Sequence, residues 1–312
     1  MALLSSDAYP KNVLGRGAKS KDSGPRYESS VRSRWTALGA ASVAFADDDD
    51  TGGHAVIAAT TSDVFVAFRG TSSTAGWAAN AHVAQFKITS GKGGAGPVMQ
   101  VHGGFLASFA AIYPRVGTEV AKALEGTVAD PNAARVFITG HSLGGAHAAL
   151  AALALAGNGA RVGGVWTYAA PKTGDEAFTQ EYMRRFGNET YRWVNGFDLV
   201  PTLPPSELPA PLGSFRQLPP GPTLWRTLGG RCGKAGPGLL EDCLPAGATL
   251  EAGYRGTAGE GGKEERCKFV VADHRLARAL VALGGCVSAE ARGRGDACTP
   301  KVVSAVIPDE WE

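Results

Sequence analysis

The chain has 312 residues, 44% hydrophobic and 19% charged, which describes a globular protein holding one large α/β domain or two small ones. A formal net charge of +2, without a basic stripe of interleaved aromatics, gives no case for nucleic acid. The longest apolar run, at 148–156, is too short to span a bilayer, and the opening MALLSSD lacks the apolar core of a signal peptide.

In chain order, residues 1–35 are polar and basic, with one short helix expected around 3–9. A strand at 41–46 runs into Asp47-Asp48-Asp49-Asp50-Thr51-Gly52-Gly53, a turn by composition. The acidic run lacks the alternating spacing of a calcium loop, so a solvated turn is expected and no metal site is assigned. Strands follow at 54–60 and 64–69, joined by Thr61-Ser62-Asp63. A segment of small residues containing Trp77 comes next, then a Gly-rich hairpin turn at 91–97 and a helix at 106–124. Residues 136–138 form a short β-rich run, and 143–156 is almost all Ala and Leu, a strong helix signal. Further elements are a strand at 162–170, a helix at 176–186 and a strand at 190–195. This alternation predicts an α/β fold, a mostly parallel central sheet with helices on both faces. Eight prolines between 201 and 222 predict an irregular arm hugging the surface. Residues 229–266, rich in Gly, Cys and charge, read as an insertion in a single domain covering 1–312, before a strand at 268–272 and a helix at 275–283.

The chemistry concentrates between the strand at 136–138 and the helix after it. Gly140, Ser142 and Gly144 spell G-x-S-x-G at a sharp strand-to-helix corner. A serine there sits in a strained backbone region, so its neighbours two away must be small. The turn lifts the hydroxyl above the sheet and points the helix N-terminus at it. Serine needs a base, and the base needs an acid to orient it. In folds with this corner the chain order is Ser, then acid, then His. His54, His82, His102 and His141 precede Ser142, and His147 lies on the following helix. That leaves His274, just after a strand end, as the base; His141 is expected to pack in the corner. Asp175, Asp198, Asp242 and Asp273 lie between Ser142 and His274. Asp198, on a loop after a strand and before Pro201, is the first choice of acid, with Asp175 second. An oxyanion needs two donors. The backbone N–H of Leu143 is one, and the Gly70-Thr71 loop is the best source of the other.

Five blocks carry a resemblance. They are Phe68-Arg69-Gly70-Thr71, Val101-His102-Gly103-Gly104-Phe105, Gly140-His141-Ser142-Leu143-Gly144-Gly145, Tyr168-Ala169-Ala170-Pro171, and Asp198-Leu199-Val200-Pro201 with Leu203-Pro204-Pro205. In this order they resemble the fungal-type class 3 triacylglycerol lipases, over roughly 40–205 and 268–280. The resemblance implies an α/β-hydrolase fold and a serine carboxylic ester hydrolase acting on acylglycerol-type esters through an acyl-enzyme, with no cofactor. It implies Ser142, Asp198 and His274 as the triad and Thr71 with Leu143 as the oxyanion hole. The segment after Thr71 becomes a lid carrying Trp77, facing a lipid or ester substrate at a lipid–water interface. A phospholipase A1, galactolipase or feruloyl-type esterase is an alternative in the same family, and a catalytically silent lipase-like binding protein is an alternative of another functional class. Residues 229–266 have no counterpart in the family pattern.

Cys232, Cys243, Cys267, Cys286 and Cys298 all lie in the last third, without a C-x-x-C pair that would suggest zinc. Two disulfides and one thiol would suit a secreted protein, five thiols a cytosolic one; the clustering favours the first.

Overall fold

The computed structural model describes residues 1–10, 24–71, 84–90, 96–194, 198, 200–209 and 212–218. Among the described residues two helices precede the first strand, α1 (Ala2–Asp7) and α2 (Pro25–Ala37). Strands β1 (Ser42–Asp48), β2 (Gly53–Ala59) and β3 (Asp63–Phe68) follow. A hairpin of β4 (Gln85–Thr89) and β5 (Val98–His102) leads into α3 (Gly103–Gly126). Then come β6 (Arg135–His141), α4 (Leu143–Gly157), β7 (Val162–Tyr168), α5 (Glu176–Phe186) and β8 (Thr190–Trp193). The main sheet has the order β1-β2-β3-β6-β7-β8. Its first two pairings are antiparallel and the remaining three parallel, as the βαβ alternation requires.

Side chains of β2 alternate between two cores, the period-2 signature of a strand covered on both faces. Ala55, Ile57 and Ala59 join the large cluster with residues of α3, α4 and α5. Val56 and Ala58 join a smaller cluster with Leu4 and Ala8 of the N-terminal segment and Tyr27 and Val31 of α2. The parallel strands at the centre bury Val64, Val66, Val136, Ile138 and Val165 completely, and α4 exposes none of its residues.

The expectation of one short helix in 1–35 is corrected: α2 is a second, longer one. Its apolar residues Tyr27, Val31 and Trp35 recur every four positions, a narrow stripe in otherwise polar sequence. Gly24 precedes it as N-cap and Pro25 opens its first turn, where a missing N–H costs nothing. The acidic run is a turn as expected, with the Asp48 carboxylate accepting from the Thr51 N–H at 2.7 Å. The arm after Asp198 is irregular as expected, and Phe215 and Leu218 anchor it in the interior. Among the described residues no helix is long and apolar enough to cross a membrane. Trp77, the five cysteines, the insertion at 229–266, the strand at 268–272, His274 and the helix at 275–283 lie outside the described residues.

Candidate active site

Strands β3, β6, β7 and β8 end level with one another. Phe68 stands beside Gly140, His141 beside Tyr168, and Tyr168 beside Trp193. The loops leaving these ends share one edge of the sheet, where sites of α/β folds form. Ser142 is the residue between β6 and α4, with φ 58° and ψ −129°. A serine at positive φ is strained, and the surroundings hold it there. Its N–H donates to the Tyr168 carbonyl at 2.9 Å, and its carbonyl accepts from Gly145 N at 2.8 Å. Ser142 is 2% exposed.

The glycines around it are steric requirements. A Cβ on Gly140 would overlap the Gly144 carbonyl, and one on Gly144 would overlap the Phe68 carbonyl. Gly145, not singled out from the sequence, would place a Cβ 2.5 Å from that of Ala170. Strand β6, helix α4 and the end of β3 therefore meet backbone to backbone. Gly70 extends this contact into the next loop: its Cβ would lie 2.5 Å from the His141 carbonyl and 3.0 Å from Ser142 Cβ. The segment carrying Thr71 is thus laid directly on the corner. The Thr71 hydroxyl oxygen is buried and has no hydrogen-bond partner among the described residues. A buried, unspent hydroxyl is costly unless something else is to use it. Leu143 is the first residue of α4, so its N–H has no acceptor one turn back in the helix.

Asp198 follows β8 at the same sheet edge and is fully buried, its Oδ1 accepting the Val200 N–H at 2.9 Å. Asp175, the second choice of acid, is the N-cap of α5, its carboxylate accepting the Phe178 N–H at 2.8 Å. Asp242 and Asp273 lie outside the described residues, as does His82.

The remaining histidines take structural parts. His141 packs in the corner as expected, with Nδ1 2.8 Å from the Tyr9 hydroxyl. His102 caps α3, its Nδ1 accepting the Phe105 N–H, and burial pushes its pKa down to about 4. His147 meets the Ser108 hydroxyl at 2.8 Å, and burial pushes it down to about 3. His54 lies between Asp47 and the Tyr27 hydroxyl, its pKa also lowered by burial.

These histidines make the fold acid-sensitive. Both His102 and His147 are neutral in the fold, whereas the unfolded chain takes up protons near pH 6.5. Stability is therefore lost as pH falls from about 6.5 toward the folded-state values, by about 2 kcal/mol for each histidine at pH 5. Asp7, raised to about 6 by burial, works the other way and offsets about 1–2 kcal/mol of this. Urea unfolding at pH 7 and pH 5 should show a lower midpoint at pH 5; equal midpoints would contradict the burial of these rings.

One contributor carried no sequence signal. Tyr9 accepts the Gly70 N–H at 2.9 Å, across 61 residues of chain. No local pattern marks such a contact.

A family model for lipase (class 3) matches residues 65–208, a span holding Thr71, Ser142, Leu143 and Asp198. Over these residues the chain is similar to the class 3 lipases. The class 3 lipase region is 34% identical over 155 residues to secreted mono- and diacylglycerol lipase A of Penicillium cyclopium, covering 50% of this chain and 47% of that one. It is also 34% identical over 151 residues to a lipase of Rhizomucor miehei, covering 46% of this chain and 38% of that one. The chain spans about half the length, or less, of the curated relatives it matches. Among solved structures, the native Rhizomucor miehei lipase propeptide complex superposes with a TM-score of 0.51 at 26% identity, over 72% of this chain and 66% of that one. These class 3 lipase relatives agree with the α/β-hydrolase expectation for the fold.

Proposed function

We propose that this chain is a serine carboxylic ester hydrolase that cleaves acylglycerol-type esters through an acyl-enzyme. The observation that carries the proposal is Ser142 at φ 58° over the N-terminus of α4, with the unpartnered Thr71 hydroxyl on the loop pressed against it. The fungal relatives, mono- and diacylglycerol lipases among them, support the substrate class.

In this reading Ser142 Oγ attacks the ester carbonyl while His274 takes its proton. Asp198 holds the imidazole and stabilises its charged form. His274 returns the proton to the leaving alkoxide, giving the alcohol and an acyl-serine. Water then attacks the acyl-serine with His274 again as base, releasing the acid and restoring Ser142. Leu143 N–H and Thr71 stabilise the tetrahedral oxyanion at each stage. The Gly70 N–H is occupied by Tyr9, so Thr71 is the donor proposed from that loop. No cofactor enters this chemistry. Trp77 is proposed as the lid side chain meeting a lipid–water interface, and the chain as one domain interrupted at 229–266. Secretion is proposed from the clustered cysteines and the secreted relatives.

A fluorophosphonate probe tests the reading. Stoichiometric labelling at Ser142, with turnover across esters of graded chain length, is expected. No labelling would favour the silent binding protein, and turnover confined to phospholipid, galactolipid or feruloyl esters would move the substrate class. The Thr71 part is tested by Thr71→Val, which keeps the shape and removes the donor. It should lower kcat by about 10²–10³-fold, or about 2.7–4 kcal/mol, with KM little changed. A loss mainly in KM would mean that Thr71 only shapes the pocket.

A further inference from the structure

We propose that Tyr9 is a positioning residue that sets the spacing between the oxyanion loop and the nucleophile corner. The proposal rests on the serine hydrolase reading and extends it to a residue far away in sequence. The Tyr9 hydroxyl accepts the Gly70 N–H at 2.9 Å and lies 2.8 Å from His141 Nδ1. Gly70 immediately precedes Thr71, and His141 immediately precedes Ser142. One oxygen atom therefore joins the two segments whose relative placement decides whether Thr71 can reach an oxyanion formed on Ser142.

The geometry suits a fixed spacer. Strands β3 and β6 are in register up to Phe68 and Gly140, after which ladder pairing stops. Beyond that point the Arg69 N–H turns away to the His54 carbonyl on β2 at 2.9 Å, so the ladder no longer ties Gly70 to the corner. With its oxygen accepting from Gly70, the phenol has one hydrogen left to place on His141. The Tyr9 ring also stands edge-on to the His141 ring, with centroids 5.8 Å apart. The space is tight, since a Cβ on Gly70 would lie 2.6 Å from the Tyr9 oxygen.

Tyr9 is itself held from behind. Leu4 and Ala8 are fully buried. The Asp7 carboxylate meets the Arg34 guanidinium and accepts the Trp35 indole N–H at 2.9 Å. The Asp7 carbonyl accepts the Tyr27 hydroxyl at 2.7 Å. Helix α2 thus clamps α1 to the sheet, and through Tyr9 this docked segment reaches the site.

The test separates positioning from stability by pairing Tyr9→Phe with Tyr27→Phe. Both remove one buried hydroxyl from the N-terminal docking, but only the first touches Gly70 and His141. Active sites are counted by fluorophosphonate titration and kcat is expressed per titrated site. Tyr9→Phe should lower that kcat by about 10–100-fold with KM within about twofold, the size expected for a misplaced oxyanion donor. Amide exchange at Gly70, followed by mass spectrometry, should speed up at least about tenfold. Tyr27→Phe should lower the unfolding midpoint and keep kcat per site and Gly70 protection. If Tyr9→Phe keeps both its kcat per site and its Gly70 protection, or if Tyr27→Phe loses as much kcat, the positioning role is wrong. If the wild type turns over no ester, the hydrolase reading fails first and the catalytic role of Tyr9 falls with it; an active wild type beside an equally active Tyr9→Phe removes only the Tyr9 role.

Discussion

Replacing Ser142 with alanine is expected to lower ester turnover by up to about a million-fold, and His274→Ala by a similar factor, because the residues act as a unit. The substitution is clean at this position. Alanine keeps the Cβ that Ser142 already places at φ 58°, so the strained corner is neither relaxed nor tightened. The backbone bonds to Tyr168 and Gly145 are untouched, and with them the join of β6, β7 and α4. The unfolding midpoint should therefore stay near wild type while turnover and fluorophosphonate labelling disappear together. Retained turnover in Ser142→Ala would place the nucleophile elsewhere. The residual rate matters too: about 10³–10⁴-fold over water is what an intact oxyanion hole and binding alone can supply.

The second large effect is expected at Asp198. Asp198→Asn should cost about four orders of magnitude in kcat, because an amide presents the base with the wrong hydrogen-bonding partner. Asparagine can still accept the Val200 N–H through its carbonyl oxygen, so the fold should hold. The matched control is Asp175→Asn. Asp175 caps α5, and asparagine caps about as well as aspartate, so this variant should keep both activity and stability. The acid assignment fails if Asp175→Asn is the inactive one of the pair.

Most of the sheet was legible from local pattern. β-rich runs at 54–60, 64–69 and 136–138 and the Ala/Leu run at 143–156 name their own elements, because burial on two faces leaves a strong apolar signal. The corner was legible because its glycines and serine are forced by backbone contacts within a few residues. Choosing between Asp198 and Asp175 was harder. Both sit on loops near strand ends, and each carboxylate accepts a backbone N–H close by in the chain, so spacing alone does not separate them. Helix α2 was missed because three large apolar residues in thirteen leave little periodic signal. Tyr9 was out of reach for another reason: its partners lie 61 and 132 residues away, and only the assembled sheet brings them together.

Helix α4 has a consequence for how the chain reaches its native state. All fifteen of its residues are Ala, Leu, Gly or His, and none is exposed once the fold is closed. It has no polar face to show water beforehand, and its cover comes from strands and a helix on both sides of it in the chain. On a ribosome, α4 is made before β7, one of the strands it packs against. The helix that follows Ser142 is thus an apolar segment exposed early on the nascent chain, and chaperone occupancy and concentration-dependent losses on refolding should centre there.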